Sequence, residues 1–176
     1  GTVGKGVYQI LKGEKDTHPI LKQIEIANIV VKDISKKREF DIDKNLLIND
    51  PNKLIEDPSI DVIVEVMGGT DIARNIILKS LNAGKSVVTA NKAVMARFGE
   101  EIHKAALENG AYILFEAAVC GGIPIIEPLK RSLKSNQIIK MAGIINGTTN
   151  FILSKMSTEK AAFKESLDLA QKLGYA

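Results

Sequence analysis

The sequence predicts an α/β protein, a doubly wound parallel sheet followed by the start of a second, α+β domain. Two observations carry this reading. Apolar runs rich in Val and Ile alternate with stretches of helical periodicity, the pattern of parallel strands joined by crossover helices. The chain also opens on "GTVGKG", three glycines directly ahead of a helical pattern.

Each element can be justified in order. Gly1, Gly4 and Gly6 suggest a turn, after which "VYQILKG" reads as a helix with Val7, Ile10 and Leu11 on one face. "IEIANIVVKD" reads as a strand, "LIND" as a short strand and "PNKLIED" as a short helix opened by Pro51. "DVIVEVMGG" is a near-continuous apolar run, expected to be a strand buried on both faces. "DIARNIILKSLNAGK" is a helix stopped by Gly84, "SVVTANK" a strand, and "AVMARFGEEIHKAALENG" a helix stopped by Gly110. "AYILFEAAV" reads as another buried strand. Right-handed crossovers put the carboxyl ends of these strands on one edge, the edge where open α/β sheets bind ligands. Gly68–Gly69, "TANK" and "AVCGG" all point to that rim.

The rhythm changes after "CGGIP". "IIEPLKRSLKS" reads as a helix, "QIIKMAGIIN" as a strand and "TTNFILSKM" as a helix capped by the "NGTTN" segment. A last helix is expected with its N-cap at Ser157 or Thr158. The predicted domains are residues 1–120 and 121–176, the second incomplete.

Composition bounds the function. Of 176 residues, 45% are hydrophobic, enough for a real core. The net charge of +3 and the lack of Trp argue against a nucleic-acid surface or base-stacking platform. No run approaches the ~20 apolar residues of a membrane helix. Cys120 is the one cysteine, which fits a reducing cytoplasm.

A glycine-rich turn lets a pyrophosphate reach the N–H groups and positive dipole end of a helix. Gly1 and Gly4 fit the second and third glycines of the Rossmann fingerprint G-x-G-x-x-G. The first glycine and first strand are expected ahead of Gly1. At the end of "VVKDISKKR", Asp33 could bind the ribose hydroxyls of NAD. Alternatively, Lys32, Lys36, Lys37 and Arg38 could surround the 2′-phosphate of NADP, or form a solvated loop.

"GTVGKGV", "EVMGGTDIA", "VTANKAV", "FEAAVCGGIPII", "GIINGTTNFIL" and "AQKLGYA" together resemble homoserine dehydrogenase, over nearly the whole chain and in order. The resemblance implies a nucleotide-binding domain ahead of a catalytic and dimerisation domain. It also implies NADP- or NAD-dependent interconversion of L-aspartate 4-semialdehyde and L-homoserine, in threonine, methionine and isoleucine biosynthesis, by a homodimer. The family continues past "LGYA" into an acidic stretch and a second lysine that hold the substrate. These 176 residues alone are therefore expected to turn over little.

The expected catalytic residue is Lys92, an ammonium that would polarise the carbonyl or take part in proton transfer. The bland reading is a surface lysine. Expected cofactor contacts are Gly1, Thr2, Val3, Gly4, Lys32, Asp33, Gly68, Gly69, Thr70, Thr89, Asn91, Lys92 and Gly174. The last also reads as a helix C-cap. Glu116 lies in an apolar run and must be paired or cation-bound. The resemblance implies a sodium ion held by Glu116 and the carbonyls of Val119, Gly121 and Ile123, against the alternative of a buried ion pair.

Two rival functions remain. Another semialdehyde oxidoreductase would need Cys120 as nucleophile with a histidine base. His103 falls outside the apolar face of its helix and His18 lies in a charged loop, so neither is a convincing partner, and Cys120 reads better as packing. The other rival is a non-catalytic nucleotide-binding module.

Overall fold

The computed structural model describes residues 1–13, 19–38 and 40–175. His18 and the terminal Ala176 lie outside the described residues. The chain divides into two compact units, Gly1–Ala118 and Val119–Ala176.

The first unit holds α1 (Thr2–Lys12), β1 (Ile29–Val30), β2 (Leu47–Ile48), α2 (Asn52–Glu56), β3 (Val62–Glu65), α3 (Asp71–Asn82), β4 (Ser86–Thr89), α4 (Lys92–Glu108) and β5 (Ile113–Leu114). Strands β1 and β2 pair in parallel, and β3, β4 and β5 form a second parallel sheet in that order. In the larger sheet Ile63 stands opposite Val87, and Val87 opposite Ile113. These three side chains share one face and pack against Ala73, Ile77 and Leu81 of α3 and Val94, Ile102 and Ala106 of α4. This is the core. Period 2 in the strands and 3.6 in the helices bring the two apolar sets together.

Helices α3 and α4 end alike. Gly84 and Gly110 take φ of +75° and +62°, the left-handed conformation that lets the chain leave a helix. The Gly84 amide donates to the Leu81 carbonyl and the Lys85 amide to that of Ser80. The Gly110 and Ala111 amides repeat the pattern on Leu107 and Ala106.

Several expectations are corrected. Helix α1 begins at Thr2, so Gly4 and Gly6 lie inside it rather than in a preceding turn. Strand β3 is buried on one face only. Ile63 and Glu65 are buried, while Val62 and Val64 on the other face are partly open. The "AYILFEAAV" run pairs only over Ile113–Leu114 and then tightens into a 3₁₀ turn at Glu116–Ala118.

The second unit holds a short helical turn at Pro128–Ser132, α5 (Gly147–Thr158) and α6 (Phe163–Lys172). Ser157 and Thr158 close α5 instead of capping the next helix, and Ala162 stands at the N-cap of α6. The Thr158 hydroxyl donates back to the Ser154 carbonyl. Residues 137–146, expected as a strand, form no ladder among the described residues. Apolar alternation there is not enough, because a strand exists only against a partner. Ile139 is 93% exposed.

Candidate functional site

The carboxyl ends of β3 and β4 carry a buried polar network. Glu65 is the last residue of β3, stands opposite Thr89 and is 3% exposed. Its Oε1 accepts from the Met67 amide at 2.9 Å, and its Oε2 from the Thr89 hydroxyl at 2.6 Å. Thr89 Oγ1 in turn accepts from the Asn91 amide at 3.0 Å. Asn91 caps α4, its Oδ1 accepting from the Val94 amide at 3.2 Å. Its Nδ2 donates to the Gly69 carbonyl at 2.7 Å. The loop leaving β3 and the loop leaving β4 are thus tied together.

Of the predicted residues, the structure joins Gly69, Thr89 and Asn91 directly. Gly68 and Gly69 have φ of +79° and +74° and are exposed, so backbone is offered to solvent here. Thr70 precedes α3 without a side-chain cap bond. Lys92 is exposed at the first position of α4. A cation there faces the positive end of the helix dipole, an arrangement unfavourable by about 0.3–1 kcal/mol. Helix stability does not call for a lysine at this position.

The start of α1 adjoins the same strand. A Cβ on Gly4 would come 3.3 Å from Val66 Cγ2, so the glycine permits close approach of the helix to the end of β3. Gly1, Thr2 and Val3 open that helix, and no acidic residue stands in its first turn. Its free N–H groups suit an anion.

Lys32 and Asp33 follow β1 and are both exposed. Asp33 Oδ1 accepts from the Ser35 amide at 2.8 Å and hydroxyl at 2.7 Å. The Ser35 hydroxyl, then its amide, hold the Asp33 carboxyl below the usual value. Arg38 donates to the carbonyls of Lys36 and Asp33, both at 2.9 Å, so its guanidinium braces this loop.

Glu116 is half-buried in the first unit. In the second unit Val119 is half-buried, Gly121 and Ile123 are exposed, and Cys120 and Gly121 have φ of +55° and +61°. Among the described residues no group of three or more His, Cys, Asp or Glu side chains could hold a metal. The predicted cation set differs in kind, being one carboxylate and three carbonyls. His103 is half-buried and packs edge-on against Phe115, ring centroids 5.4 Å apart. Gly174, φ +79°, ends α6 as Gly84 ends α3: its amide donates to the Gln171 carbonyl and that of Tyr175 to Ala170.

Residues 1–116 match the family profile described as homoserine dehydrogenase, NAD binding domain, and residues 124–176 match the homoserine dehydrogenase profile. The chain belongs to the homoserine dehydrogenase family. Among curated homoserine dehydrogenases it is 49% identical over 176 residues to that of Synechocystis and 46% identical over 178 residues to that of Bacillus subtilis. Each alignment takes in 100% of this chain and 41% of the relative, so the chain spans about two-fifths of the length of these proteins. A crystal structure of S. aureus homoserine dehydrogenase is 39% identical and superposes on the whole chain, and on 42% of its own, with a TM-score of 0.76. A hyperthermophilic archaeal homoserine dehydrogenase in complex with NADPH is 35% identical, with a TM-score of 0.62 over 72% of this chain and 39% of that one. The fold of the first unit is Rossmann-like.

Sequence reasoning missed Glu65. The signal was present: a carboxylate inside the apolar run "DVIVEVM" is as conspicuous as Glu116 in its own run.

Among the described residues, no helix is long and apolar enough to cross a membrane.

Proposed function

We propose that this chain is the coenzyme-binding part, and the beginning of the catalytic part, of an enzyme that interconverts L-homoserine and L-aspartate 4-semialdehyde with NAD(P). The observation that carries the reading is the Asn91 bridge. It fixes the Gly68–Gly69 loop beside the first turn of α4, where Lys92 stands on the carboxyl edge of the sheet.

When bound, the coenzyme would supply the hydride acceptor for C4 of homoserine and the hydride donor for the aldehyde in the reverse direction. The protein's own residues do the rest. In this reading Gly1, Thr2, Val3 and Gly4 present the start of α1 to the pyrophosphate. Gly68, Gly69 and Thr70 let the backbone close on the nicotinamide end, with Asn91 as a further contact and Thr89, fully buried, behind it. Asp33 and Lys32 face the adenosine ribose, and the three lysines of that loop leave room for a 2′-phosphate. Lys92 Nζ donates to the carbonyl oxygen as negative charge develops on it, and holds the proton that oxygen receives.

A monovalent cation at the Glu116 carboxylate belongs to the same reading, supported by its half-buried position in an otherwise apolar run. The intact protein is read as a cytoplasmic homodimer. The exposed Ile139, Ile144 and Ile145 of the second unit support an apolar partner there.

The test is coenzyme-dependent oxidation of homoserine by the intact protein. Lys92→Ala should lower kcat by roughly 10²–10⁴-fold and leave NAD(P)H affinity within about threefold. Unchanged turnover would remove Lys92 from its role.

A further inference from the structure

We propose that Glu65 is the positioning residue of this rim, setting the spacing between the Gly68–Gly69 loop and the Lys92-bearing start of α4. The inference rests on the reading of that edge as the coenzyme edge.

Each carboxylate oxygen of Glu65 serves a different loop. Oε1 holds the Met67 amide, at the entry to the glycine pair, and Oε2 holds the Thr89 hydroxyl, at the entry to "TANK". Thr89 passes the constraint to the Asn91 amide, and Asn91 returns it to the Gly69 carbonyl. The result is a closed ring of side chain and backbone. The Glu65 carbonyl also accepts from the Ala90 amide at 3.2 Å, extending the ladder one residue past β4.

The placement argues for function over bulk stability. The apolar packing of the sheet is supplied by Ile63, Val87 and Ile113, nearer its middle. An apolar residue at 65 would continue that core at lower desolvation cost. What it could not do is accept two donors at once. Thr89 is likewise held as both donor to Glu65 and acceptor from Asn91, a role that serine keeps and valine loses. Among the described residues no buried side-chain nitrogen or oxygen is left without a partner, so the ring is fully satisfied. A fully satisfied buried network is stiff, and stiffness is what a site needs when small misplacement costs rate.

The test uses the intact protein in four variants: Glu65→Gln, Thr89→Val, Thr89→Ser and the Glu65→Gln/Thr89→Val double. Ile77→Val, in the core of α3 and outside the ring, serves as the control for lost stability. Glu65→Gln and Thr89→Val should each lower kcat about 10–100-fold, with KM for homoserine within about threefold. The double variant should be no worse than the poorer single, because both break one ring. Thr89→Ser should restore kcat to within about threefold, and Ile77→Val should leave it there.

Hydrogen exchange supplies a readout without turnover: the Met67 amide should exchange at least about tenfold faster in Glu65→Gln and Thr89→Val. If Glu65→Gln does not fold, the Thr89→Val and Thr89→Ser pair decides the matter alone. Wild-type kcat in Thr89→Val, or effects that multiply in the double variant, would overturn the proposal. Failure of the wild type to bind NAD(P)H or oxidise homoserine would instead overturn the functional reading, and the exchange rates would still judge the ring.

Discussion

The two ends of the β3–β4–β5 sheet each bury one ionisable side chain, and they use it differently. At the amino end Lys85, 5% exposed, donates from Nζ to the carbonyls of Asp57 and Ile60 at 2.5 and 2.6 Å. Those carbonyls belong to the turn entering β3, while Lys85 itself leads into β4. The bond network stops there, in backbone. At the carboxyl end Glu65 also ties β3 to β4, but its network runs on through Thr89 and Asn91 to a glycine loop and a helix start. The same device, a buried charge spanning two strands, closes the fold at one end and aims loops at the other.

The difference can be broken or sharpened by mutation. The largest effect on stability is expected for Lys85→Met, which strips a donor from two carbonyls and should cost about 2–4 kcal/mol. Thermal unfolding would report it, while coenzyme affinity of the folded protein should hold. A parallel loss of affinity would break the comparison. Next comes Gly4→Val, which pushes α1 from Val66 at the opposite end. About 1–3 kcal/mol is expected from overpacking, here with weaker NAD(P)H binding by fluorescence titration. Gly84→Ala should cost about 1 kcal/mol through its left-handed backbone, read from the denaturant midpoint, without touching turnover.

The smallest effect concerns pH. The Ser59 hydroxyl, then its amide, hold the Asp57 carboxyl below its usual value near 3.8. A carboxyl depressed on folding stabilises above its unfolded value and loses that contribution as pH falls through the folded one. Ser59→Ala should therefore show its deficit at neutral pH and converge with wild type on acidification below about 3.8, measured by denaturation at a series of pH values.

Much of this was legible in the sequence where the signal is local. The stops at Gly84 and Gly110 fix the ends of α3 and α4 because only left-handed residues make those exits. "TANK" was readable as the end of a strand leading into a helix. What depends on distant partners was not. Strand pairing decides that 137–146 has no ladder and that the run around β5 pairs over two residues, and no periodicity reveals a partner. The one-sided burial of β3 has the same origin. Ser157 and Thr158 look like caps, yet α5 runs on through them to Thr158, whose hydroxyl bonds back to the preceding turn instead of forward. Glu65 was overlooked for a different reason: its meaning lies in Thr89, 24 positions away.

Asn91 has spent both ends of its amide, the oxygen on Val94 and the nitrogen on Gly69. Hydrolytic loss of ammonia from this one side chain would keep the oxygen and so keep the helix start. It would also set a second oxygen against the Gly69 carbonyl, turning an attraction into a repulsion. Chemical ageing at a single atom would thus leave every helix standing while the two loops drift apart, a form of wear that a melting curve would scarcely register.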